Sequence, residues 1–229
     1  MIGIIGALES EIDFIKNNML INKKYNLASK NFYSGSISGK EIILGICGIG
    51  KVNAAICTQI MIDYFKAEYI INVGTAGAAD DNIQIGDIII SSDAIQYDID
   101  VTALGFNLGQ LPYMEQYIFE SNSLLIQKAV DIAKKSNVSY IIGRVTSGDK
   151  FISSNFLHSI KELKPSCFEM EGAAIAQVAN LNSIPFVIIR GITDNSNQDA
   201  NVDYAQNKID VGLKSAKLAF DLVKSFDLK

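Results

Sequence analysis

Five acidic side chains stand at positions where a folded chain could put them to chemical use. The segment SCFEMEGAAIAQVAN, residues 166–180, sets Glu169 and Glu171 around Met170, directly ahead of a run of small and apolar residues. MIGIIGALESEI places Glu9 and Glu11 after an apolar run, and VIIRGITDN ends another with Arg190 and Asp194. Carboxyls at such places suit general acid and base work, because desolvation raises the pKa of a partly buried one and lets it hold a proton. Each also has a plain structural explanation. Acidic residues compensate the dipole in the first turn of a helix, and Arg190 with Asp194 could form an ordinary ion pair. Two residues apart at a strand-to-helix turn, Glu169 and Glu171 are not expected to face one neighbour.

Other chemistries are poorly supplied. His158 is the single histidine, so a cluster of several imidazoles around a metal is excluded and a Ser-His-Asp triad would have to use this one residue. Its surroundings, FLHSIKELK, predict an ordinary surface histidine. Cys47, Cys57 and Cys167 form no CxxC pair and are an odd number, which suits a reducing cytoplasm and small buried hydrophobes. With a net charge of -5 and a pI near 4.9, and with Lys and Arg scattered, no basic footprint for nucleic acid is present. The apolar start is too short to span a membrane and lacks a basic signal-peptide front; a soluble, cytoplasmic protein is expected. CGIGKVNAA fails the dinucleotide fingerprint at Asn53, which leaves Gly48 and Gly50 as a tight strand-to-helix turn. In NVGTAGAA, Gly74 and Gly77 bracket a hydroxyl, Thr75, and a small residue, Ala76, and leave backbone free to approach a flat ligand.

The elements that must position these residues are legible as alternating runs. Strands are predicted at 2–7, 41–48, 69–77, 87–95, 140–149 and 184–194, nearly continuous in Ile and Val as strands buried on both faces are. Helices are predicted at 51–65, with Val52, Ala55, Ile56, Ile60 and Phe65 near one face, and in SLLIQKAVDIAKKS, EGAAIAQVAN and DVGLKSAKLAFDLVKSF. With 229 residues, 48% of them hydrophobic, and no linker or repeat, one domain over 1–229 is expected. Its class is α/β with a largely parallel sheet. Ligands in such folds gather at the carboxyl ends of the strands, where Glu9, Glu11, Gly48, Gly50, Thr75 to Ala78, Ser147 to Phe151 and Arg190 to Asp194 fall; Glu169 and Glu171 are read instead as beginning a helix. NSNQDANVD, 195–203, is the most loop-like stretch and is read as a flap.

Taken together, GIIGALESEI, CGIGKVNAA, NVGTAG, DVTALG with GQLP, SGDKFI, FEMEGAA and VIIRGITD resemble the nucleoside phosphorylase superfamily, over residues 2 to about 220. Within it they resemble the 5′-methylthioadenosine/S-adenosylhomocysteine nucleosidases. The resemblance implies a three-layer α/β/α fold around a mixed, mostly parallel, partly barrel-like sheet. It also implies a homodimer, no metal or organic cofactor, and hydrolysis of the bond between adenine and a 5′-thio-substituted ribose. It makes Asp194 the general acid toward adenine N7, oriented by hydroxyls that are here Thr193 and Thr75, and Glu11 the residue that positions and deprotonates water. Glu171 would accept the ribose hydroxyls as an ionised carboxylate, with Met170 packed on the sugar and Glu169 behind. Phe151 would stack on adenine, Ile152 meet the base edge, and Ala76 and Gly77 line the same side. Arg190 would contact Glu11, Glu171 or the water network, and Leu8 and Ile49 would complete the pocket.

The sequence also departs from that pattern. Leu8 replaces a methionine, and Leu104 replaces a phenylalanine that reaches across the dimer toward the 5′-thio tail. Val101, Leu104, Pro112 and Tyr204 would form an apolar tail pocket, partly from the partner chain, that suits a thioether. A phosphorylase would need arginines around its anion, including one where Asn72 stands. Futalosine or aminodeoxyfutalosine hydrolysis is the same reaction with another 5′ substituent, and a non-catalytic nucleoside-binding protein would have lost one of Glu11, Glu171 and Asp194.

Overall fold

A computed structural model describes residues 1–80, 82–152, 158–195 and 200–226 of the chain. Its strands are β1 Ile2–Gly6, β2 Leu20–Leu27, β3 Lys30–Ile37, β4 Lys40–Ile46, β5 Tyr69–Ala78, β6 Ile88–Gln96, β7 Phe119–Glu120, β8 Tyr140–Ser147, β9 Cys167–Glu169 and β10 Phe186–Asp194. The helices are α1 Glu9–Asn18, α2 Lys51–Asp63, α3 Ser123–Lys135, α4 Gly172–Leu181 and α5 Ala200–Lys224.

Side-chain alternation along the central strands builds the layers. In β1, Ile5 points into one core while Ile2 and Ile4 point into the other; in β4, Ile43 opposes Ile42 and Leu44; in β5, Ile70 opposes Ile71 and Val73. Successive side chains of a strand leave on opposite faces, so a strand apolar throughout needs cover on both. On the first face α2 supplies Ala54, Cys57 and Met61, and α4 supplies Ala173 to Ala176 and Ala179. On the second, α1 supplies Ile12 and Ile15, α3 supplies Leu125 and Ala129, and α5 supplies Leu218, Ala219 and Leu222. This is the α/β/α sandwich.

The sheet is mixed. Pairs β1–β4, β1–β5, β5–β10, β6–β8 and β8–β9 are parallel, while β6–β10, β5–β9, β2–β3, β3–β4 and β6–β7 are antiparallel. Strands β5, β10, β6, β8 and β9 pair in a closed circuit. The closed end is the barrel-like part, and it brings the ends of β5, β8, β9 and β10 round a common space.

Six strands fall where the apolar runs place them, but four others carry no such run. β2, LINKKYNL, is largely exposed, and it turns into β3 through Ala28 and Ser29, both at positive φ (49° and 58°), without the Asn-Gly pair that marks hairpins. The expected face of α2 is also corrected: Ala54, Cys57, Thr58 and Met61 are buried, while Val52 and Ile56 are exposed. Because α2 is apolar nearly all round, its periodicity did not choose the buried side. Glu169 ends a strand rather than beginning a helix. The expected flap is partly helical, since α5 starts at Ala200, and its residues 196–199 lie outside those described, as does the side chain of His158. The three cysteines are buried, and burial raises their thiol pKa values, that of Cys57 to about 12.

Candidate active site

A cavity of about 250 Å³ opens where β1, β4, β5, β8, β9 and β10 end. Ala7, Leu8 and Glu11 come from the β1–α1 turn, and Ile49 from the β4–α2 turn. The end of β5 adds Thr75, Ala76 and Gly77, the loop after β8 adds Lys150, Phe151 and Ile152, and the β9–α4 junction adds Phe168 to Glu171. Thr193 and Asp194 close it from β10, and Tyr204 leans in from the start of α5. Thirteen of the seventeen candidate residues therefore line one space; Arg190 lies beneath it, and Val101, Leu104 and Pro112 do not line it within this chain. Ala7, Lys150 and Phe168 line the cavity without having been given a role in the sequence, for they are ordinary residues whose place only the fold sets.

Glu11 is held by its helix. At the third position of α1, its carboxylate accepts the N–H of Ala7 (2.8 Å) and of Leu8 (3.0 Å), and from across the cavity that of Thr75 (3.1 Å). Reaching back to the free amides ahead of a helix is the ordinary use of such a glutamate; here it also fixes a buried carboxylate at the cavity wall. Gly74 is required beside it: a Cβ there would lie 2.7 Å from Glu11 Oε1 and would strike the Arg190 guanidinium. So Gly74 makes room for side chains rather than for a ligand.

Glu169 and Glu171 share a partner, contrary to expectation. Arg190 Nη2 donates to Glu169 Oε2 and lies 3.8 Å from Glu171 Oε2. The chain turns sharply from β9 into α4 at Glu171 (φ -134°, ψ -38°), and the turn brings both carboxylates to the same side. Glu169 also accepts the N–H groups of Glu171 (3.0 Å) and Gly172 (2.7 Å) and the hydroxyl of Ser147. It thereby caps α4 from three residues upstream. Arg190 further donates to Asn72 Oδ1 (2.7 Å). Burial opposes the charge of Arg190, but Glu169, Glu171 and Glu11 outweigh it and raise its pKa. The alternative Arg190–Asp194 pair is not the arrangement adopted, since four residues of extended strand separate the two by roughly 13 Å.

Glu171 accepts the N–H of Gly50 (2.9 Å). Burial, then the charge of Glu169, push its pKa up to about 8 against the opposing pull of Arg190 and the Gly50 N–H. That shift disfavours the ionised form in the open site, because the side chain is buried beside a second carboxylate. Asp194, 3% exposed, accepts the hydroxyl of Thr193 (3.0 Å), which is also 3.2 Å from Ala76 O. Phe151 is 49% exposed and meets Tyr204 edge to face at 6.2 Å. Burial comes first, then Glu11, Glu171 and Asp194, in raising the pKa of the Tyr204 phenol.

A purine-sized space ringed by carboxyls at the strand ends of this sandwich is the arrangement of a nucleoside-cleaving protein. The model of the phosphorylase superfamily matches residues 1–226, and the chain belongs to that superfamily. A 5′-methylthioadenosine/S-adenosylhomocysteine nucleosidase of Staphylococcus haemolyticus (strain JCSC1435) is 37% identical over 227 residues, 98% of this chain and 99% of the relative. The nucleosidase of Neisseria meningitidis, solved in complex with methylthio-immucillin-A, superposes with a TM-score of 0.95 at 34% identity, covering 98% and 99% of the two chains. These likenesses place the chain in the 5′-methylthioadenosine/S-adenosylhomocysteine nucleosidase family. Futalosine hydrolase of Helicobacter pylori shares the fold (TM-score 0.94) at 28% identity, with 98% and 97% covered.

Proposed function

We infer that the protein hydrolyses the N-glycosidic bond of 5′-methylthioadenosine and S-adenosylhomocysteine, and of 5′-deoxyadenosine, releasing adenine and the ribose or thioribose. The observation that carries this reading is the convergence of Glu11, Glu171 and Asp194 on one cavity in a chain of this family. Breaking the C–N bond pushes electrons onto the purine and leaves positive charge on the sugar, so the base must be protonated and C1′ must meet a nucleophile. Asp194 donates its proton to N7, a role its burial favours by disfavouring the charged form. Glu11, fixed by three N–H donors, orients a water molecule and takes its proton as the oxygen bonds to C1′. One proton has then moved from water to Glu11 and one from Asp194 to adenine, and exchange with solvent restores both.

Glu171 accepts the ribose hydroxyls. Those donors and the cation forming at C1′ both favour its ionised state, so its charge acts most strongly in the transition state. Phe151 stacks on the base, Ile152 and Gly77 flank it, and Met170 packs on the sugar. No cofactor enters this scheme.

Water is favoured over phosphate as the nucleophile by the groups that line the cavity. Glu11, Glu169, Glu171 and Asp194 face the cavity, and Lys150 is the one basic side chain among its described residues; Arg190 is fully buried and Asn72 occupies itself with Arg190. A phosphate would therefore find carboxyls and no arginine among the described lining residues.

The reading extends to a homodimer in which the partner chain completes the 5′-tail pocket. It is supported by exposed apolar side chains: Ile49 at the cavity, Val52 and Ile56 on α2, and Leu104, the last 71% exposed. Three buried free thiols suit the reducing cytoplasm, and among the described residues no helix is long and apolar enough to cross a membrane. The experiment is adenine release from methylthioadenosine with and without phosphate, with the sugar identified. Free methylthioribose formed without phosphate is the expected product; a phosphate requirement with methylthioribose 1-phosphate would replace the hydrolase by a phosphorylase.

A further inference from the structure

Gly50, at the N-terminal boundary of α2, has no side chain to cap the first free amides of the helix. Those amides are satisfied from elsewhere. The Gly50 N–H goes to Glu171 Oε1 at 2.9 Å, and the Lys51 N–H goes to Asp149 Oδ1 at 2.8 Å. Asp149 belongs to the loop that carries Phe151 and Ile152, two residues further on. A second layer locks it: the Asp149 N–H donates to Asp98 Oδ2 (3.0 Å), and Lys51 Nζ pairs with Asp98 Oδ1 (2.5 Å). Next along the loop, Lys150 O accepts the hydroxyl of Tyr97 at 2.9 Å. Gly50 also permits the approach, for its φ is +96° and a Cβ there would lie 3.0 Å from Asp149 Oδ1.

Two adjacent amides at one helix end therefore hold the sugar-facing carboxylate and the wall of aromatic and apolar groups. We propose that Asp149 is a positioning residue, which sets Phe151 and Ile152 at a fixed height above Glu171 so that a purine and its ribose are gripped in register. Asp149 does not line the cavity; it acts through the backbone. The inference rests on the reading of Phe151 and Ile152 as the base-binding wall. Helix ends accept carboxylates readily, and the distinguishing feature here is that the two carboxylates come from separate loops that serve separate halves of one ligand.

Calorimetric titration of the full-length protein with adenine, and inhibition by methylthioribose, test it in wild type, Asp149→Ala and Asp149→Asn. Asp149→Ala is expected to weaken adenine about tenfold, the scale of one hydrogen bond to a charged group, while sugar inhibition stays near wild type and the melting temperature falls by about 2–4 °C with the lost helix-end contact. It should raise KM for the nucleoside more than it lowers kcat. Asp149→Asn, whose amide oxygen still accepts the Lys51 N–H, should recover most of the loss. Unchanged adenine binding in Asp149→Ala, equal weakening of adenine and sugar, or no recovery with asparagine each overturns the proposal. If Asp149→Ala does not fold, Asp98→Ala removes the acceptor of the Asp149 N–H and carries the same expectation at smaller size. Failure of the wild type to bind adenine would instead sink the base-wall reading beneath it.

Discussion

The two walls of the cavity are built differently. On the carboxylate side, Glu11, Glu169 and Glu171 are at most 7% exposed and each accepts backbone amides, with Ser147 donating to Glu169 and one fully buried arginine beside Glu169 and Glu171. On the opposite side, Phe151 is half-exposed, Tyr204 meets it through a ring edge, and the Val101–Pro112 segment stands outside the cavity. The difference follows from what each wall must do. Charge forming at one carbon needs acceptors already in place, since reorganising them during the reaction would cost what they contribute. A flat base and an apolar tail need surface rather than aimed dipoles, and that surface stays open for entry.

The sharpest way to break this comparison is to remove the acid that stands between the two walls. Asp194→Asn should lower kcat by about 10²–10⁴-fold, the range for loss of a general acid, with the circular dichroism spectrum unchanged; near-normal turnover would remove Asp194 from the mechanism. Arg190→Met tests the rigid wall directly. It leaves two buried carboxylates without their cation and should cost about 3–5 kcal/mol in denaturant unfolding, whereas a loss below about 1 kcal/mol would show the wall is held by its amides alone.

Glu171 makes that wall sensitive to pH. Its folded pKa of about 8 lies above the ordinary 4.5, so between those values the folded state holds more protons than the unfolded state. Its stabilising contribution is fully present below pH 4.5 and is lost as pH rises through 8. The slope is at most about 1.4 kcal/mol per pH unit. Glu171→Gln should flatten the stability profile over that window, measured by urea unfolding at a series of pH values; an unaltered slope would assign the dependence to another group. The smallest effect is expected on the open side. Leu104→Phe, at an exposed position, should change KM for methylthioadenosine by less than about tenfold, the scale of altered apolar contact, and leave kcat alone. A change in kcat of the same size would mean that the tail wall takes part in the chemical step just as the carboxylate wall does.

Legibility in the sequence follows the same division. Strands apolar on both faces announce themselves, and so do Glu11 and Asp194, which close the motifs GIIGALESEI and VIIRGITD at strand exits. Glu169 could not be placed, because its partner Arg190 lies 21 residues away and the two meet only when β9 and β10 join the closed circuit. Asp149 stood within SGDKFI but had no role there, since an acidic residue after a strand is unremarkable until the α2 amides come within reach. The buried side of α2 was likewise invisible, for a helix apolar in most directions offers no stripe to choose.

Apolar runs are local, so the sequence alone located six of the ten described strands and the α/β class. It also determined the chemical groups on offer: carboxyls in plenty, one histidine, and no arginine where an anion would sit. Only the tertiary structure decided which carboxyls share a cation, which amides hold them, and which pKa is driven upward. Those outcomes depend on distances between residues far apart in the chain, and electrostatic energy varies with distance and burial rather than with order along the sequence.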